Sequence, residues 1–196
     1  MIGLVVSLAL SLQLSDVACP VGVELNGPEG RAWDSLPLTA LQTVGTHNSY
    51  KQAIPPAELA ALLAQNPEVM ALDYSHPPLS DQLDAGMRNL EIDIVHDPEG
   101  GRYATPLMPA MMAGQDGSAP YDATGMDAPG FKVLHIPDID VRTSCPTLIA
   151  CMSELRDWSL AHPDHAPIMV MFNAKTGGID APGATQALDF DREAFA

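Results

Sequence analysis

Positive charge is what this chain has least of: 9 Lys and Arg stand against 25 Asp and Glu, a formal charge of −16. That balance repels nucleic acid, works against simple electrostatic docking on an anionic membrane, and suits the capture of cations. A bilayer-spanning run is missing as well, because the apolar stretch Ile2 to Leu14 falls short of the roughly 20 residues that a span requires. The stretch reads instead as a secretory leader over residues 1–18, which makes the mature protein secreted or periplasmic. The leader is atypical, since no Lys or Arg precedes the apolar run and Asp16 stands just before the expected cut after Ala18. Cysteine is scarce too, with three residues in all. In an oxidising compartment Cys145 and Cys151 pair across Pro146–Ala150, a small loop that restricts the unfolded chain by about 2 kcal/mol. If the leader assignment fails, two buried thiols are the alternative.

What the chain does have is enough apolar material for one core: 46% hydrophobic and 17% charged residues over 196 positions describe a globular domain. Four strand-like runs stand out, Leu41 to Gly45, Arg88 to Val95, Lys132 to Ile136 and Ile168 to Phe172. The connections between them are far too long for hairpins and leave room for helical crossovers, which predicts parallel strands in repeated βα units. Helices are expected over Pro56 to Gln65, over Leu79 to Ala85 with Gly86 as the stop, and from Pro146 onward. The last of these places Leu148, Cys151, Met152, Leu155 and Trp158 on one buried face and leaves Glu154, Arg156 and Asp157 to solvent. Ala104 to Gly130 has no period of either kind and reads as a long loop. Its Leu107, Met108, Met111 and Met112 form either an apolar rim for lipid or a locally packed insertion. Ala187 to Ala196 reads as a helix beginning. Four βα units are half of a (β/α)₈ barrel of about 250 residues, so residues 19–196 are expected to be the N-terminal portion of a longer domain.

The most informative stretch is Met87 to Val95. Side chains two apart on a strand share a face, so Glu91 and Asp93 point the same way among Leu90, Ile92 and Ile94. Two like charges there are costly to desolvate without a positive partner, and a hard divalent cation with oxygen ligands is the first hypothesis. Polar residues recur at the ends of all four runs: Thr46-His47-Asn48-Ser49, Glu91 with Asp93, His135, and Asn173-Ala174-Lys175. The C-terminal ends of strands are where parallel α/β folds bind ligands. His76, His162 and His165 read as structural, and His96 with Asp97 borders the pocket or serves the turn that follows.

Taken in order, Thr46-His47-Asn48-Ser49-Tyr50, Leu72-Asp73-Tyr74-Ser75-His76-Pro77-Pro78-Leu79, Gln82 to Arg88, Glu91-Ile92-Asp93, Val133-Leu134-His135 and Cys145-Pro146-Thr147 closely resemble the bacterial calcium-dependent phosphoinositide phospholipase C family. The similarity runs from about Leu36 to Lys175. It implies a TIM (β/α)₈ barrel, of which this chain supplies the first four or so units. It also implies His47 and His135 as catalytic residues and Asn48, Glu91 and Asp93 as Ca²⁺ ligands. Oxygen donors are what Ca²⁺ prefers. The implied reaction is attack of the inositol 2-hydroxyl on the neighbouring phosphorus of a phospholipid at a membrane surface, by an enzyme that is monomeric at full length.

One position departs from the pattern. The family's fourth strand ends in Glu-x-Lys, whereas this chain reads Asn173-Ala174-Lys175, with Asn173 an uncharged candidate ligand and Lys175 a candidate phosphate contact. Two rival readings follow: a glycerophosphodiesterase or phospholipase D-like barrel, and a secreted calcium- or lipid-binding domain of weakened catalysis.

Overall fold

The computed structural model describes residues 36–195 and, before them, residues 26–27, 30–31 and 34. The expected leader lies outside the described residues. The chain divides into two units, residues 1–41 and 42–196. In the first, β1 (Asn26–Gly27) pairs antiparallel with β2 (Gly30–Arg31), and a 3₁₀ turn spans Leu38–Ala40.

The second unit runs β3 (Gly45–Thr46), α1 (Pro56–Leu63), α2 (Leu79–Asp84), β4 (Asn89–Val95), α3 (Leu107–Met112), β5 (Lys132–Val133), α4 (Leu148–Ala161) and β6 (Met169–Ala174). Proline opens α1 at its first residue, where the lost N–H has no helical partner anyway. Gly86, at φ +96°, follows α2 in a left-handed conformation that residues with a Cβ rarely adopt. Thr147 caps α4 by accepting from the Ala150 N–H at 3.1 Å, so this helix begins two residues later than expected.

β4 is the centre of the sheet. It pairs in parallel with β6 along Asn89–Ile94, which occupies one edge. The other edge is shared, by β3 in parallel at Asn89 and Leu90 and by β5 at Ile94 and Val95. Three expectations are corrected here. The first strand covers Gly45–Thr46 rather than Leu41 to Gly45. The third is two residues long and antiparallel. The fourth lies beside the second, so the order differs from consecutive βα units. The cause is the segment before β5: its one helix, α3, has six residues and is followed by turns, so no crossover carries the chain back to start in parallel.

Burial explains why β4 reads as it does. Leu90, Ile92 and Ile94 pack with Leu79 and Leu83 of α2 and Leu155 and Trp158 of α4. The opposite face carries Glu91, Asp93 and Val95, and all six residues are buried. On α4, Cys151, Leu155 and Trp158 are buried as expected, but Met152 is exposed. Glu154 is not left to solvent: its Oε1 accepts the Ser80 N–H at 2.8 Å, capping α2 across the helix pair.

The Cys145–Cys151 disulfide is formed. In the long connection, Met108 is buried with Ile54 and Leu62 while Met111 is exposed, so the methionines are partly packed rather than a continuous rim. The expected C-terminal helix is absent among the described residues. Leu188 bridges to His96, and Phe190 and Phe195 join His96 and Phe131 in an aromatic cluster, closed by a 3₁₀ turn at Glu193–Phe195. His96 belongs to that cluster, and Asp97 to a buried pair with Lys132 at 3.1 Å. Among the described residues no helix is long and apolar enough to cross a membrane.

Candidate active site

Chain reversal after β3 builds one wall of the site. Asn48 adopts a left-handed backbone, φ +50°, which Asn tolerates better than most residues. Gln82 of α2 locks the turn by donating to the Ser49 and Pro77 carbonyls at 2.6 and 2.7 Å and accepting from Thr46 Oγ1 at 2.6 Å. Ser49 then joins the turn to β4, donating its N–H to the Glu91 carbonyl at 2.9 Å and accepting the Glu91 N–H at its Oγ at 2.9 Å. These bonds bring His47 and Asn48 onto Glu91. Its Oε2 accepts the Asn48 N–H at 3.0 Å and lies 3.3 Å from His47 Nε2.

Asn48 is buried. Its Nδ2 donates to the Tyr74 hydroxyl at 2.6 Å, and its Oδ1 has no hydrogen-bond partner. Asp93 is wholly buried; among the described residues its oxygens face Lys175 Nζ, 3.3 Å from Oδ2, and the Tyr50 hydroxyl, and neither contact is a well-formed hydrogen bond. The Tyr50 phenol is held far above its usual range, by burial first, then by the charge of Asp93 and its acceptance from the hydroxyl. Tyr74 is also raised, by burial first and, against the bond from Asn48, by the charges of Asp140, Asp93 and Glu91. Asp93 and Asp140 therefore act on both phenols, and Glu91 on Tyr74.

His135 stands just past β5, mostly buried, with Nδ1 2.8 Å from Asp140 Oδ2. The other Asp140 oxygen is 3.2 Å from Nζ of Lys51, an ionic contact rather than a well-formed hydrogen bond, and both side chains are fully buried. Lys51 also donates to the Leu72 and Tyr74 carbonyls at 2.9 and 3.0 Å and sits 4.6 Å from the Tyr74 ring centre. His76, read as structural, has Nε2 3.0 Å from the His47 carbonyl. His162 stacks on Trp158 and His165 bonds Ser159, both remote in sequence from this group.

Of the sequence candidates, Asn48, Glu91 and His47 are in direct contact, and Lys175 reaches Asp93. Asn173 is the register partner of Asp93 on β6 but is exposed. Lys51, Tyr74 and Asp140 were missed. The signal for Asp140 was present in Asp138-Ile139-Asp140, an acid-x-acid pair like Glu91-Ile92-Asp93. Lys51 directly follows the Thr46–Tyr50 motif but gives no sign in sequence that it is buried.

A group of three or more His, Cys, Asp and Glu side chains arranged for a metal is absent among the described residues. The donors available are two carboxylates and an amide oxygen. They nevertheless fit a hard cation: buried oxygens without well-formed hydrogen bonds are costly in a folded chain, and Asn48 Oδ1 and both Asp93 oxygens are of this kind.

No curated protein and no solved structure matches the sequence significantly. Over residues 36–196 it matches the family described as phosphoinositide phospholipase C, Ca²⁺-dependent. By that match, which covers most of its length, this chain belongs to the Ca²⁺-dependent phosphoinositide phospholipase C family.

Proposed function

We propose that the protein cleaves phosphatidylinositol-type phospholipids, giving diacylglycerol and a cyclic inositol phosphate in a calcium-dependent phosphodiesterase reaction. The observation that carries this reading is the set of buried oxygens on Asn48, Glu91 and Asp93, three of which make no well-formed hydrogen bond, with His47 3.3 Å from Glu91. Asn48, Glu91 and Asp93 would hold Ca²⁺, with Asn173 as a weaker neighbour. Bound there, it supplies positive charge for a phosphate oxygen and acidifies the attacking hydroxyl.

The remaining chemistry falls to side chains. The 2-hydroxyl oxygen forms a bond to phosphorus as the bond to the diacylglycerol oxygen breaks. The hydroxyl proton passes to the Glu91–His47 pair, and His135 protonates the departing oxygen. His47, the more exposed histidine, hydrogen-bonds the phosphoryl oxygens. Lys175 adds positive charge beside Asp93.

The fold reading that goes with this function is a (β/α)₈ barrel. Family membership and the parallel pairing of β3 and β6 with β4 support it. The Cys145–Cys151 disulfide supports a secreted or periplasmic setting, and the substrate would be met at a membrane surface by a monomer. A second reading, a calcium- or lipid-binding domain with weakened turnover, is favoured by Asn173, which brings no charge where the pattern has a carboxylate.

The test is hydrolysis of phosphatidylinositol vesicles with and without calcium, alongside lysophospholipids and glycerophosphodiesters, using His47→Ala and His135→Ala. Calcium-dependent turnover of phosphatidylinositol that falls roughly 10²- to 10⁴-fold in either variant is expected. Turnover that survives chelation, or both substitutions, contradicts the reading.

A further inference from the structure

We propose that Asp140 is the positioning residue of His135, fixing which ring nitrogen meets the substrate, and that buried Lys51 holds Asp140 in that role. This rests on the reading above that His135 acts on the reacting oxygen.

The geometry is a chain of three groups. His135 Nδ1 lies 2.8 Å from Asp140 Oδ2, and Asp140 Oδ1 lies 3.2 Å from Lys51 Nζ. An ammonium group has no acceptor, and a carboxylate beside it only accepts, so the proton in the His135–Asp140 bond belongs to Nδ1. Neutral His135 is thereby the Nδ1–H tautomer. Nε2 is left as the nitrogen that takes up and delivers a proton.

Asp140 cannot easily turn away. The His135 and Ile136 N–H groups both donate to its carbonyl, and its own N–H donates to the Ile136 carbonyl at 3.0 Å. The tip of this turn is pinned as well. Asp138, at φ +72°, accepts from the Leu107 and Thr185 N–H groups at 3.1 and 2.6 Å.

The Lys132–Asp97 pair shows what a buried pair looks like without such a role. Its ions are as deeply buried and as close, at 3.1 Å, yet among the described residues no third charged side chain is paired with the carboxylate. Buried ion pairs are often no more stabilising than apolar residues of equal volume. Contact of Asp140 with His135, the histidine given the acid role above, is therefore the feature to explain, and orientation of the imidazole explains it.

The first measurement needs no variant. ¹⁵N NMR of the wild-type protein with His135 neutral should show Nδ1 protonated and Nε2 bare, and a protonated Nε2 would overturn the proposal. The second is turnover of phosphatidylinositol vesicles by Asp140→Asn. Because that change leaves Lys51 buried without its anion, the double variant Lys51→Met/Asp140→Asn is measured beside it. In whichever variant folds, kcat should fall about 10²-fold with KM within about twofold of wild type, and the tautomer should become mixed. Unchanged kcat and tautomer, with His135→Ala inactive, would remove the role of Asp140 and leave the active site standing. Full activity of His135→Ala would remove both.

Discussion

Two regions of this molecule bury carboxylates, and they treat them in opposite ways. Away from the site, Glu58 is wholly buried and receives Arg142 through two hydrogen bonds of 2.7 and 2.8 Å, and Asp97 is matched by Lys132. On the face of β4 opposite the helices, Asp93 is buried just as deeply but meets only poorly aligned groups, Lys175 at 3.3 Å and the Tyr50 hydroxyl, and Asn48 Oδ1 has no hydrogen-bond partner. The first arrangement completes itself and holds the fold together. The second leaves acceptors in excess of donors, which is how a chain looks when a cation from solution is meant to complete it.

The largest expected effect lies in the self-completed region. Glu58→Gln strands the Arg142 charge and should cost about 3 kcal/mol or more in urea unfolding, while leaving calcium affinity unchanged. Removing the disulfide by Cys145→Ser with Cys151→Ser should cost about 2 kcal/mol by the same measurement, again without touching the metal. Smaller still, and confined to the other region, Asn173→Glu should tighten calcium binding about tenfold by calorimetry, roughly 1.4 kcal/mol. Asn173 is the register partner of Asp93, and cross-strand partners in a parallel pair point to the same side. A loss of stability in Asn173→Glu with no gain in affinity would blur the contrast drawn here.

Much of this contrast was legible in the residues. Alternation placed Glu91 and Asp93 on one face, and β4 obeys it because both its faces are covered. The short cysteine spacing foretold the disulfide, and Pro56 and Gly86 marked helix ends through backbone constraints that hold in any context. The strands that went astray are short ones: β5 is two residues, and its direction is decided by how the chain returns from 104–130, where no periodic signal exists. Lys51 and Asp140 were invisible for a related reason. A charged residue in a motif looks solvated in sequence, and only the fold shows Lys51 pointing at carbonyls of Leu72 and Tyr74 and at a carboxylate far along the chain.

Calcium titration of the wild-type protein and Asp93→Asn by calorimetry, paired with their unfolding in chelator, tests the central claim most directly. Wild type should bind calcium, and Asp93→Asn should lose most of that affinity while unfolding in chelator no more easily than wild type, because the substitution removes a charge the fold never fully paired. Equal calcium affinity in the two proteins, or a stability loss in Asp93→Asn as large as that of Glu58→Gln, would contradict the account.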